Sequence, residues 1–359
     1  MTTPIVSVVM SVFNGERFLR EAVESILAQS FRDFEFIVID DGSTDRTGEI
    51  LNRYQRSDPP VRVYYQENRG LIDSLNRGCE LARGKYIARM DADDIAVRNR
   101  LMWQVDFMEK HPEVGVVGGT IECINSTGKS VRTYRHPIRD REIKSALLRG
   151  GVGFCHPTVL MRREVLVSVG GYRKVVVHAE DYDLWLRIAD RFQLANLGAV
   201  VLKYRLHPYQ ICVRACREMA LTRRAAQIAA WSRRNGNPDP LDLVEEITPT
   251  VLAGLGVSEA TQRADLAGGH LMYIRNMSDA GEYSVPLNVM IQMMSASDFK
   301  SAKKGEVADF LLWAARGYWR QRKFAKSILT FGHALITWPI MVGRPLKPLL
   351  RSLRLLPMP

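Results

Sequence analysis

The chain has 359 residues, 46% of them hydrophobic and 25% charged, a balance that excludes bulk disorder and leaves room for one large domain with an appendage or for two domains. The formal net charge is +11, but no acidic residue follows Asp309 while nine basic ones do, from Arg316 to Arg354; the body is therefore near neutral, which argues against a general nucleic-acid binder. Five cysteines, an odd number with no CxxC pair, argue against a disulfide framework or a zinc ribbon and are expected as reduced thiols in a cytoplasmic protein.

Residues 1–4 carry no basic side chain, so the apolar run 5–13 reads as a strand rather than the core of a signal peptide. Its valine-rich, nearly continuous apolar character suits a strand covered on both faces. Asn14-Gly15 is a turn, and Leu19, Ala22, Val23, Ile26 and Leu27 follow at helical spacing. Residues 34–39 read as a second buried strand, ended by the turn formers of DDGSTD at 40–45, where Gly42 suits a positive φ and Asp45 is placed to cap the next helix. The alternation continues with a strand at 61–65, a helix at 71–82, a strand at 85–90, a helix at 98–110 stopped by Pro112, and a strand at 114–117. That succession predicts βαβ units: an α/β fold with a mostly parallel sheet flanked by helices.

Beyond about residue 120 the pattern changes. A hairpin is expected around 125–128, a short helix at 140–148, a flexible Gly-rich entry at 150–153, a strand at 158–161, a helix at 180–191 and a strand at 193–205. From 211 onward the chain reads as helical, interrupted by Asn235-Gly-Asn-Pro-Asp-Pro. That break suggests a catalytic part over 1–235, a helical extension over 236–315 and a basic amphipathic tail over 316–359.

Two acidic clusters fall where strands end. Asp91-Ala92-Asp93-Asp94 packs three acids into four residues, and mutual repulsion plus desolvation makes that costly unless the turn is solvated or a divalent cation neutralises it. Magnesium and manganese prefer such oxygen ligands. Asp40-Asp41-Gly42-Ser43 ends a different strand, where a carboxylate is either a capped turn or an acceptor for a base or ribose hydroxyl. Open α/β sheets bind ligands beyond the carboxyl ends of their strands, which is where both clusters lie. G-x-G-x-x-G after the first strand, G-x-x-x-x-G-K-[ST], G-x-S-x-G and H-E-x-x-H are all missing, which argues against dinucleotide oxidoreductases, P-loop enzymes, α/β-hydrolases and zincins.

The strings VSVVMSVFNG, SILAQSFRDFEFIVIDDGSTD, NRGLIDSLNRGCELARGKYIARMDADD and AEDYDLWLRIA, in that order over about 5–210, resemble a family 2 glycosyltransferase. The resemblance implies a GT-A fold with a helical C-terminal extension and an inverting transfer from a nucleoside diphosphate sugar, a UDP-sugar first among them, assisted by Mg2+ or Mn2+. It implies that Phe13, Asn14, Asp40 and Asp41 cradle the nucleoside, with Arg69 near the nucleotide. Asp91 and Asp93 are then the metal pair, with Ala92 between them at the donor. Asp181, beside Glu180, is the base, and His207 closes over the diphosphate or touches the metal. His156 falls in an acceptor-side loop, and Trp185 fits the core better than a sugar platform. The acceptor is expected to be a glycan or lipid-linked sugar of cell-surface polysaccharide synthesis.

The stretch 328–342 is shorter than the roughly 20 apolar residues of a bilayer-spanning helix. The tail instead combines basic residues with Trp319, Phe324 and Trp338, a pattern suited to a peripheral position on an anionic, cytoplasmic-facing membrane surface. Two rivals remain. A sugar-phosphate nucleotidyltransferase would carry a Gly- and Arg-rich phosphate loop where this chain has Asn14-Gly15-Glu16-Arg17, and a non-catalytic sugar-nucleotide-binding subunit would not need Asp91, Asp93 and Asp181 intact.

Overall fold

The structure, a computed structural model, describes residues 3–207, 210, 215–281 and 304–337. The chain forms two compact units, the first made of 1–205 and 222–247, the second of 206–221 and 248–359.

In the first unit the expected alternation is present. Strand β1 (Val6–Val12) leads to α1 (Leu19–Leu27), β2 (Phe34–Asp40), α2 (Thr47–Ser57), β3 (Val61–Tyr65), α3 (Leu71–Leu81) and β4 (Tyr86–Asp91). These four strands lie parallel in the order β3-β2-β1-β4. Every residue of β2 is buried, as are all but Ser11 of β1, which explains why their sequences do not alternate. β5 (Ile95–Ala96), α4 (Arg100–Lys110), β6 (Val114–Asn125), β7 (Ser130–Tyr134), α5 (Asp140–Leu148), a 3-10 turn at His156–Thr158, β8 (Leu160–Arg162), α6 (Arg163–Ser168), α7 (Glu180–Ala189) and β9 (Gln193–Leu206) follow. They extend the sheet as β8-β6-β9-β5, antiparallel where β4 meets β8, β8 meets β6 and β9 meets β5, with β7 hairpinned on β6.

Three local expectations differ from what the chain does. The strand expected at 114–117 runs on to Asn125, because Gly118-Gly119 is not a break: a Cβ at Gly119 would lie 2.6 Å from Val201 Cγ2, so its bareness lets β9 approach. The strand expected at 158–161 starts at Leu160, since Pro157 favours the 3-10 turn before it, and α6 follows where no helix was expected. Asp45 does not occupy the cap position, which Arg46 holds without a side-chain bond. Asp45 instead accepts from Thr47 N at 2.9 Å and Glu16 N at 3.1 Å, tying the loops after β1 and β2 together.

α8 (Cys216–Arg234) continues the chain. The second unit holds α9 (Pro249–Gly254), α10 (Glu259–Ala280), α11 (Lys304–Arg320) and α12 (Phe324–Thr337). Among the described residues no helix is long and apolar enough to cross a membrane. The tail beyond Thr337, including Trp338, lies outside the described residues.

Candidate active site

The strand register brings the two acidic clusters together. Val12 pairs with Asp40 and Ser11 with Asp91, so β1, β2 and β4 end flush and their loops share one edge of the sheet. The loops are then knitted to each other. Asn14, at φ 52°, receives Thr44 N on Oδ1 at 2.8 Å and donates its own N–H to Ser43 Oγ at 2.9 Å. Gly15 N donates to Thr47 Oγ1 at 2.9 Å, and a Cβ built on Gly15 would sit 3.8 Å from Ala92 Cβ. Phe13 stands exposed at this edge.

Asp40 and Asp41 are both buried and differ in their work. Asp40 Oδ1 accepts from Ser43 N at 3.0 Å. Asp41 accepts from Arg69 N and Gly70 N, both at 2.9 Å, and from Gln66 Nε2 at 2.7 Å, so it organises the loop 66–70 after β3. Gly42 has φ 78°, and a Cβ there would lie 2.8 Å from Asn68 N, which accounts for the glycine in DDGS. Arg69 is thus held by its backbone, and its side chain belongs to an exposed residue.

Asp91, Asp93 and Asp94 present carboxylate oxygens within 4.8 Å of one another. Asp91 Oδ1 is 2.5 Å from Arg89 Nη2, whose side chain is 3% exposed on β4. Asp94 is fully buried; its Oδ1 accepts Arg205 N at 2.8 Å, Arg205 Nε donates to Asp93 O at 2.8 Å, and Asp94 Oδ2 is buried without a hydrogen-bond partner. Burial pushes the Asp91 carboxyl up; the Arg89 charge opposes this, and the Asp93 and Asp181 charges add to it. Burial followed by its two neighbours drives Asp94 well above the ordinary carboxylate range. An all-oxygen donor set, strained by like charge and holding an orphaned buried oxygen, fits a hard divalent cation.

Glu180 and Asp181 open α7, where the helix dipole favours negative charge. Burial, then the Asp181 charge, raises Glu180 to about 8, and its Oε2 has no partner. Asp181, part exposed, is raised by burial against the pull of Arg223 and Arg89. Its charge acts on Asp91, about ninety residues away in the chain. The helix is fixed by Asp183, buried and gripped by Arg173 and Arg187; Arg187 Nη2 donates onward to Gly171 O at 2.6 Å and Arg173 Nη1 to Asp239 at 2.9 Å.

Arg89 and Tyr172 were not singled out from sequence, and Asp94 only as the third acid of its cluster. Tyr172 Oη is 2.8 Å from His156 Nε2, and burial holds this histidine well below its usual range, hence neutral. The available signal for Arg89 was a charge inside an otherwise apolar strand, which has to be paired. Trp185 is buried against Phe154 and His156, a core position. His207 lies buried just past β9, its N–H donating to Gln210 Oε1 at 3.4 Å.

This sheet, with acids at the ends of its parallel strands and a second acidic pair on α7, defines a GT-A glycosyltransferase. Residues 7–170 match the family model for glycosyl transferase family 2. The chain is 39% identical over 207 residues to EpsE of Bacillus subtilis (strain 168), covering 56% of this chain and 73% of that one. It is 31% identical to the O-antigen biosynthesis glycosyltransferase WbnJ of Escherichia coli, covering 56% and 80%. The chain belongs to glycosyltransferase family 2 and is an enzyme of that class. Two solved structures share the fold. TarS 1-349 of S. aureus in complex with UDP-GlcNAc is 17% identical, covers 93% of this chain and 91% of its own, and has a TM-score of 0.51. The mannosyltransferase PcManGT of Pyrobaculum calidifontis, with GDP-Man and Mn2+, is 19% identical, covers 95% and 87%, and has a TM-score of 0.50.

Proposed function

We propose that the protein transfers a sugar, with inversion, from a nucleoside diphosphate sugar to an acceptor hydroxyl in cell-surface polysaccharide synthesis. The observation that carries this reading is the cluster of Asp91, Asp93 and Asp94 carboxylate oxygens within 4.8 Å of one another, with the Asp181 charge acting on Asp91. The relative named for O-antigen biosynthesis and the fold neighbours with bound UDP-GlcNAc and GDP-Man support it.

Phe13, Asn14, Asp40 and Asp41 line the nucleoside end, with Arg69 beside them and a UDP-sugar the first donor to test. Ala92 sits at the donor between Asp91 and Asp93, which would hold Mg2+ or Mn2+. A divalent cation held by Asp91 and Asp93 would supply the positive charge that offsets the charge growing on the departing diphosphate. Asp181 accepts the acceptor's hydroxyl proton as the new C–O bond forms opposite the breaking bond to diphosphate, whose oxygen takes the electron pair. Arg89 keeps Asp91 in place, and Glu180, held protonated near neutrality, limits the negative charge beside the base. The acceptor, glycan or lipid-linked, enters from the Asp181 side. The catalytic part is assigned to 1–235, followed by the extension and tail.

General base catalysis is worth about 10²–10⁴-fold, so Asp181→Asn should lose turnover by that factor while calorimetry shows donor affinity kept within about threefold, the context scatter of such a change. Near-normal turnover overturns the assignment.

A further inference from the structure

Helix α12 packs on α11, and the side it turns inward is small: Ser327 is 5% exposed, with its Oγ donating to Ala315 O at 2.7 Å, and Ala334 is fully buried. The side it turns outward is large and aliphatic. Ile328, Leu329 and Ile336 are 64%, 73% and 76% exposed. At 100° per residue these three fall within a 100° arc, with Ala325 and Gly332 between them. A helix of a water-soluble unit places its bulk the other way round, so this face is built to be covered.

Charge says by what. Arg320, Arg322, Lys323 and Lys326 are all exposed at the corner between α11 and α12, and no acidic residue follows Asp309 anywhere in the sequence. The corner turns through Arg322 at φ 59°, with Arg322 N donating to Trp319 O and Lys323 N to Tyr318 O, both at 2.9 Å. This is the helix-ending turn in which glycine is the preferred residue, yet a basic side chain is kept there. Trp319 and Phe324 stack edge to face at 4.8 Å beside it, the kind of aromatic pair that settles at a bilayer's polar boundary.

We propose that the outward face of α12, with its basic corner, docks on an anionic lipid bilayer: Ile328, Leu329 and Ile336 enter the acyl boundary, and the four cations meet the headgroups. This would hold the enzyme beside a lipid-linked acceptor, but the docking itself does not rest on the catalytic reading and is measured without turnover.

The test is flotation of the full-length protein with vesicles of phosphatidylcholine alone and with about 30% phosphatidylglycerol, enough anionic lipid to set a negative surface potential. Binding is expected to the anionic vesicles and to disappear at about 1 M salt, where the Debye length is roughly 3 Å. Lys323→Gln with Lys326→Gln should weaken partition by about fivefold per charge removed. Ile328→Ser, Leu329→Ser and Ile336→Ser together should weaken it by at least tenfold, on the order expected for three lost aliphatic side chains. The triple variant should melt within about 2 °C of the parent, as exposed substitutions do. Equal partition of parent and triple variant overturns the proposal, as does equal binding to neutral vesicles. So does a melting point lowered by more than about 5 °C, which would mean the chain itself covers the face. A parent dimer in sedimentation that the triple variant abolishes would mean a second copy covers it, and equally overturns the proposal.

Discussion

Asp91, Asp93, Asp94, Glu180 and Asp181 are five carboxyl groups whose charges act on one another, with the buried guanidinium of Arg89 on β4 paired to Asp91. The cost shows as raised pKa values at Asp91, Asp94, Asp181 and Glu180, the last reaching about 8 from an ordinary 4.5. The sign follows directly. Below pH 4.5 both folded and unfolded forms are protonated and nothing is lost. Between 4.5 and 8 the unfolded chain ionises first, so stability falls as pH rises, and above 8 the loss is complete. Glu180→Gln should therefore raise the melting temperature at pH 8.5 and leave it unchanged at pH 4, as differential scanning calorimetry can read. Mn2+ answers the same repulsion and should stabilise the parent more at pH 8 than at pH 5; equal shifts at the two values would mean the ion binds elsewhere. Asp41 makes a different residue-scale case. Asp41→Ala strips the acceptor from Arg69 N, Gly70 N and Gln66 Nε2, at about 1–3 kcal/mol for each donor left buried. Urea unfolding should show the loss, and calorimetry a weaker nucleotide.

At the scale of elements, α7 is the part whose placement decides the chemistry, because Glu180 and Asp181 stand in its first turn. Its anchor is Asp183, between Arg173 and Arg187. Asp183→Ala leaves the buried Arg187 guanidinium without its carboxylate, while Arg173 keeps Asp239, and should cost about 3–5 kcal/mol in urea unfolding, with turnover lost because the helix end shifts. Asp181→Asn, which removes a like charge, should lose turnover without losing stability, so the pair separates an anchor from a base. The βαβ half was legible in sequence because β1 and β2 are buried on both faces and show it as unbroken apolar runs. α6 was hidden by its six-residue length, and the reach of β6 by Gly118-Gly119, where a glycine needed for close approach looks like one needed for a turn. The bonds of Asp94 to Arg205 and of Tyr172 to His156 were hidden for another reason: each partner is remote in sequence, and spacing along one element carries no trace of that.

For the whole molecule, one sheet edge brings together acids from β2 and β4, and the charge of Asp181 on α7 acts on Asp91. The claim that they form one cleft, a cation and diphosphate at one end and the incoming hydroxyl at the other, is tested most directly by a crystal of the protein with Mn2+ and an unreactive donor analogue. Manganese located by anomalous scattering should lie within about 2.5 Å of carboxylate oxygens of the Asp91–Asp93 turn, a normal metal–oxygen distance with some allowance. Asp181 should stand across the anomeric carbon, with space for a hydroxyl between them. Manganese bound away from Asp91 and Asp93, or an Asp181 screened from the sugar by protein, would contradict the account.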